Sequence, residues 1–180
     1  MIELKRLSVD DGMDIYNLLQ DIPKEENGFN NSASGLTYEQ YKEWLVKRQN
    51  YSTQVGLLDG WRVPDTLFFL YVDGVPVGYG SIRHFLTDAL RELGGHIGYC
   101  ISPKYRSKGY GKELLKRLIV EARKIGIGDI LVTVNITNFA SQKVALANGG
   151  KETRRTTERV YFWFYENDKK GEWELWIKFI

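Results

Sequence analysis

Residues 96–112 read His-Ile-Gly-Tyr-Cys-Ile-Ser-Pro-Lys-Tyr-Arg-Ser-Lys-Gly-Tyr-Gly-Lys, and no other stretch limits the fold as strongly. An apolar strand over 96–101 runs into Pro103. A short basic turn follows, and Gly109 and Gly111 open a long helix over 107–125. That helix is amphipathic: Leu114, Leu115, Leu118, Ile119 and Ala122 share one face, while Lys112, Lys116, Arg117 and Arg123 lie on others. Gly126 stands just past its end, as a C-terminal cap should. A strand joined to a helix by so short a turn packs that helix against its own sheet.

The same segment has the chemistry of a phosphate-binding turn. The first amides of a helix have no internal partner, and the helix dipole adds partial positive charge there. Gly109 and Gly111 keep side chains from holding a pyrophosphate away from those amides. Lys104, Arg106, Lys108 and Lys112 surround the turn, although 25 basic against 23 acidic residues leave the whole chain at only +2. That near-balance excludes a general nucleic-acid binder. Two other glycine-rich readings fail. A P-loop needs Ser or Thr after Gly-Lys, and Gly111-Lys112 precedes Glu113; a dinucleotide fingerprint needs a third Gly where Leu114 stands.

The rest of the chain supplies a sheet for this unit. Ile2–Leu7 alternates as a strand, with Ser8 as the expected N-cap of a helix carrying Met13, Ile15, Leu18 and Leu19. Residues 24–36 are polar and rich in Gly, Asn and Ser. They read as a loop, either an ordinary surface loop or a substrate lid. Thr37 and Gln40 form a capping-box pattern before a helix with Tyr38, Tyr41, Trp44, Leu45 and Arg48 at helical spacing. Leu67–Val72 and Val75–His84 flank Asp73-Gly74, a hairpin signal, with Val77, Tyr79, Ser81 and Arg83 on one side. Residues 85–95 connect to the strand at 96. A further strand spans Asp129–Val134, and a short helix over Phe139–Ala147 follows with Asn138 as N-cap. The end of the chain reads as a hairpin of Val160–Tyr165 and Trp173–Phe179. One α/β domain over 1–180 is expected, a mixed, largely antiparallel sheet with helices on its faces.

Composition narrows the class further. One cysteine permits no internal disulfide, and with two histidines it offers little for a metal site, so none is expected. No run approaches the roughly 20 apolar residues of a membrane span, and the N-terminus lacks a signal-peptide stretch. A cytoplasmic setting without membrane or nucleic-acid partners follows as the expectation.

Arg106-Ser107-Lys108-Gly109-Tyr110-Gly111 matches the Arg/Gln-x-x-Gly-x-Gly/Ala motif of the GNAT superfamily of acetyl-CoA-dependent N-acetyltransferases, and the chain resembles that family. Tyr99-Cys100-Ile101 and Pro103 stand where the family places its preceding strand. Asn138, Ser141 and Gly149 fit a second family signature. The likeness runs from the first strand to the last hairpin and is strongest over 96–150. It extends to a bacterial branch through Arg83-His84-Phe85-Leu86 and Gly94–Tyr99.

The resemblance implies a GNAT-like sheet, splayed at the cofactor strand and covered by helices on both faces. It implies acetyl-CoA as co-substrate and an amine as acceptor, and it leaves a homodimer open. Backbone groups of Tyr99, Cys100 and Ile101 would hold the pantetheine arm or the oxyanion. Arg106, Ser107, Lys108, Gly109, Tyr110, Gly111 and Lys112 would cradle the pyrophosphate, and Asn138 and Ser141 would border it. Gly98 suits a bulge that opens the slot. The family's usual tyrosine, seven residues after the asparagine, is Ala145 here, and Gly150 replaces a common phenylalanine.

That departure leaves the proton-transfer groups to be chosen from the residues at hand. His96 is the first candidate base, His84 the second and Glu92 the third, set against ordinary strand-end histidines. Tyr99 and Tyr161 are candidate acids, set against sheet packing. Cys100 reads as a small buried hydrophobe rather than a nucleophile. Glu25, Glu26, Asp88 and Glu92 hint at a cationic acceptor, as solvated loop acids would also allow. The alternatives to an enzyme are a silent acyl-CoA-binding regulatory domain and a module for another nucleotide.

Overall fold

The computed structural model describes residues 1–55 and 62–166. The first half holds β1 (Ile2–Arg6), α1 (Met13–Asp21), β2 (Glu25–Glu26), β3 (Phe29–Asn30) and α2 (Tyr38–Tyr51). The hairpin of β4 (Asp65–Val72) and β5 (Val75–Arg83) follows, then α3 (Asp88–Glu92) and β6 (Ile97–Ile101). A 3-10 turn at Pro103–Tyr105 leads to α4 (Tyr110–Lys124). The chain continues as β7 (Ile130–Asn135), α5 (Phe139–Ala147), β8 (Lys151–Arg155) and β9 (Arg159–Phe164).

The strands form two main sheets, β1-β4-β5-β6 and β7-β9-β8, and every ladder within them is antiparallel. Strand alternation builds two cores. Leu67, Phe69, Tyr71 and Tyr79 face α1 and α2, where Ile15, Leu19, Tyr41 and Leu45 are buried. Phe68, Leu70 and Ile82 face α4, whose Leu114, Leu115, Leu118 and Ala122 are fully buried. Both faces are covered, so β4 reads as one unbroken apolar run.

Several local expectations hold because the signals act within one turn of chain. Thr37 and Gln40 close the capping box, with Gln40 N–H donating to Thr37 Oγ1 and Thr37 N–H to Gln40 Oε1. Asn138 caps α5 by accepting the Ser141 N–H at 3.1 Å. Ser8 does not cap α1, which starts at Met13 after Gly12; the Ser8 hydroxyl instead accepts from Asp10 N–H in a preceding turn. Helix α4 begins at Tyr110 rather than Ser107, because Gly109 sits at φ +81°, outside helical backbone. Gly98 is no bulge: its register with Ser81 is continuous, and it lies bare against the Phe29 ring. The hairpin partner of β9, on the edge away from β7, is β8, a fully exposed Lys-Glu-Thr-Arg-Arg strand with no apolar alternation to announce it. The expected strand at 173–179 lies outside the described residues.

Helix α4 lies close on the sheet because β5 presents glycine beneath it. A Cβ on Gly80 would sit 2.5 Å from Leu118 Cδ1 and 2.9 Å from the Gly98 carbonyl oxygen. Gly80→Ala is therefore expected to destabilise the fold by about 1–3 kcal/mol through overpacking, read as a lower denaturation midpoint. An unchanged midpoint would contradict this packing.

Candidate active site

The two sheets part between β6 and β7. They are joined where His96 N–H donates to the Leu131 carbonyl at 2.7 Å and Leu131 N–H donates to His96 Nδ1 at 3.0 Å. Gly95 adds an isolated bridge to Val132. Beyond this point the strands form no ladder. Ser102 N–H donates to Val77, so Cys100 and Gly98 belong to the hydrogen-bonded pairs of the β5–β6 ladder. By alternation, Tyr99 and Ile101 turn their amides and carbonyls away from β5 into the gap. The same logic turns Thr133 and Asn135 inward from β7, since Ile136 N–H donates to Glu158 across the other edge. The Cys100 amide is committed to β5 and does not face the gap.

The gap opens into a cavity of about 910 Å³ that reaches the N-terminus of α4. The first bonds of that helix are donated by Lys112 and Glu113 to the Gly109 carbonyl. The amides of Tyr110 and Gly111 precede them and have no acceptor within the helix. Ser107, Gly109, Tyr110, Gly111 and Lys112 all border the cavity, as do Asn138 and Ser141, whose side chains bond each other at 3.0 Å. The left-handed backbone at Gly109 makes the turn, and the missing side chain of Gly111 keeps the mouth open. An elongated ligand ending in a diphosphate fits these features.

Arg106 differs from the expectation for its side chain. Its Nε donates to the Ile101 carbonyl at 3.0 Å, and its guanidinium forks onto Glu26 of the β2–β3 hairpin, with Nη1–Oε1 at 3.0 Å. Arg106 and Lys112 border the cavity, whereas Lys108 is off its lining, with Nζ over the Tyr105 ring at 5.8 Å. The stretch 24–36 is a built wall rather than a plain loop. Buried Asn31 donates to the Leu19 and Ile22 carbonyls at 2.7 and 2.9 Å, and Phe29 packs edge-on against Tyr79 with ring centres 5.1 Å apart.

The histidines expected as bases lie elsewhere. His96 is buried, and its Nδ1 lone pair is spent on Leu131, so the neutral ring carries its proton on Nε2. Burial first, then Arg91 and Arg83, push it down to about 4. It joins the sheets and does not line the cavity. Strand alternation sends Arg83 to the cavity and His84 to the opposite face, where Nε2 meets Thr66 Oγ1 at 2.8 Å. Tyr161 is also off the lining, its hydroxyl donating to the Glu92 carbonyl at 3.1 Å. Glu92 is exposed and paired with Arg154. Tyr99 does border the cavity. Its hydroxyl reaches the Ser141 carbonyl at 3.5 Å, and burial pushes it up to about 12. Cys100 is buried and pushed up to about 11, as an inert thiol should be. Ala145 is fully buried in the core cluster and does not border the cavity, so the position of the family's usual tyrosine supplies no proton donor here.

The far wall of the cavity carries residues that the motif-based reading passed over. Arg48, Arg62, Arg83 and Arg159 line it, and Asp65 is the sole carboxylate there among the described residues once Glu26 is paired with Arg106. Of the four acids that hinted at a cationic acceptor, Glu25, Asp88 and Glu92 do not border the cavity, and Glu26 borders it while paired with Arg106. The signal was present: Arg48 continues the buried stripe of Tyr41, Trp44 and Leu45, and Arg83 shares a strand face with Tyr79 and Ser81. Among the described residues no cluster of three or more metal-type ligands occurs, and no helix is long and apolar enough to cross a membrane.

The model of the acetyltransferase (GNAT) family matches residues 19–149. No curated protein matches the chain. Among solved structures, an N-acetyltransferase from Staphylococcus aureus is similar at a TM-score of 0.63 and 15% identity, over 92% of this chain and 99% of that one. The Campylobacter jejuni N-acetyltransferase PseH, in complex with acetyl coenzyme A, gives 0.60 and 15% over 92% and 99%. A ribosomal-protein-alanine N-acetyltransferase from Brucella melitensis gives 0.61 and 18% over 91% and 99%. At these identities the likeness is one of fold.

The His96 junction has a pH signature. Its folded value near 4 lies below the ordinary 6.5, so the unfolded chain binds the extra proton. Its contribution to stability is complete above about pH 6.5 and is lost as pH falls towards 4. His96→Gln is expected to flatten this part of the stability–pH curve and, by disturbing the Leu131 amide's partner, to cost about 1–3 kcal/mol at neutral pH. Denaturation of both proteins from pH 4.5 to 7.5 checks it; parallel curves would refute the assignment.

Proposed function

Because the chain belongs to the GNAT acetyltransferase family, we propose that it transfers the acetyl group of acetyl-CoA to the amine of a small molecule or peptide by direct attack, with the coenzyme in the β6–β7 gap. One observation carries the reading: a single cavity joins inward-turned strand amides, the bare N-terminus of α4 and a polar far wall. The PseH structure with acetyl coenzyme A supports the choice of ligand.

Acetyl-CoA supplies an activated acetyl group as a thioester. The chain's own groups do the rest. The inward amides and carbonyl of Tyr99, with the Ile101 amide, extend the ladder to the pantetheine arm in the manner of an added strand. The amides at 107–111, with Lys108 and Lys112, take the diphosphate, and Asn138 and Ser141 shape the adjoining edge. The amine nitrogen forms the new bond to the acetyl carbon as the carbon–sulfur bond breaks, its electron pair leaving on sulfur. An inward amide of β6 stabilises charge on the carbonyl oxygen. The proton lost by the amine balances the one gained by the thiolate. Tyr99 is the donor of choice, because burial keeps its phenol protonated at the cavity edge. His96, His84 and Tyr161 have no part in this scheme.

Calorimetry with acetyl-CoA and thiol release with a panel of amines test the proposal. Gly111→Leu fills the mouth of the cradle without a helix-breaking residue, so acetyl-CoA affinity should fall at least about tenfold, or about 1.4 kcal/mol. Absence of binding heat in the parent protein would end the reading. Tyr99→Phe should lower kcat by roughly 10²-fold while leaving the acetyl-CoA dissociation constant unchanged. An unaltered kcat would place proton donation elsewhere.

A further inference from the structure

The far wall holds a charge imbalance that the transfer chemistry does not explain. Arg48 and Asp65 form an ion pair with side chains only 17% and 13% exposed. Arg83 is the register partner of Asp65 across the β4–β5 ladder. Its Nη1 donates only to neutral acceptors, the Gly94 and Gly95 carbonyls at 3.2 and 3.0 Å. Two guanidinium groups therefore share one carboxylate in a largely desolvated corner. Burial holds the Arg83 charge down and Asp65 opposes it. The Arg48 Nε is buried with no hydrogen-bond acceptor. Arg159 faces this corner from β9, donating to Thr133 Oγ1 at 3.4 Å. A buried cation without a full counter-charge is costly, and an unpaired buried donor adds to that cost.

Position gives the imbalance a use. Arg83 N–H donates to the His96 carbonyl, so Arg83 stands level with the closed end of the gap. The cradle lies past Ile101, five residues along β6, or roughly 17 Å at strand rise. The middle of β6, where the thioester would sit, lies between the two. Resting on the acetyl-transfer reading, we propose that the acceptor is a small amine bearing a carboxylate, which the Arg48–Arg83 pair binds while the amine points back along β6. The planar forks of arginine suit a carboxylate, and Arg48 and Arg83 have only Asp65 between them as counter-charge. The same positive wall favours the neutral amine, the form that attacks.

The test compares amino acids with their own carboxamides, an aminoalkyl phosphate and a polyamine. Thiol release is measured with each, and calorimetry follows each acceptor into CoA-saturated protein. Acids should exceed their carboxamides by about tenfold or more in kcat/KM. Arg48→Gln should abolish that preference by raising KM for the acids about tenfold, with acetyl-CoA affinity unchanged. Carboxamides, the polyamine or the aminoalkyl phosphate performing as well as the acids would overturn the assignment. If no amine releases thiol, the transfer reading fails separately; selective binding of acids would then uphold this proposal, and its absence would overturn it.

Discussion

Two hydrogen bonds between His96 and Leu131 set the geometry on which the cavity depends. The backbone of His96 makes one ladder-like bond, and its imidazole, rather than a backbone carbonyl, accepts the other. A side-chain acceptor satisfies the Leu131 amide without committing the next residues of β6 to a ladder. Past this junction the inward groups of Tyr99, Ile101 and Thr133 are left for something other than a neighbouring strand. An unpaired internal sheet edge is costly unless a ligand or water satisfies it. The junction thus leaves a strand-shaped gap between the sheets.

The two ends of the slot use charge differently. At the cradle, the charge is partial, carried by backbone amides and a helix dipole at the N-terminus of α4. The nominal phosphate arginine, Arg106, instead ties the β2–β3 hairpin to the end of β6 through Glu26 and the Ile101 carbonyl. At the far wall, full guanidinium charges sit on strands and a helix packed from behind, with Asp65 balancing only part of them. Lower solvent exposure makes each charge there more selective and more expensive to leave unmatched.

Much of the fold was legible because its signals are local. The Asp73-Gly74 turn, the Thr37–Gln40 capping box, the amphipathic α4 and the Asn138 cap each act within a few residues, and each appears where the pattern indicated. Elements without such a signal were missed. Strand β8 is polar throughout and exists only because β9 offers it an edge. The Glu25–Asn30 hairpin has two residues to a strand and depends on Asn31 and Phe29 for its place. The glycine-rich turn before α4 was legible for the same local reason, since the amides that define it belong to consecutive residues.

Sequence alone determined the strand–turn–helix unit at 97–124, the β4–β5 hairpin and the family likeness, all properties of contiguous chain. Tertiary structure decided which polar side chains meet. His96 was read as a base and proves to be a joint, because its partner Leu131 lies 35 residues away. Arg48, Asp65, Arg83 and Arg159 come from α2, β4, β5 and β9, and no spacing rule links them. Desolvation and charge pairing arise only when such distant groups are brought together, so they leave no mark on the linear order of residues.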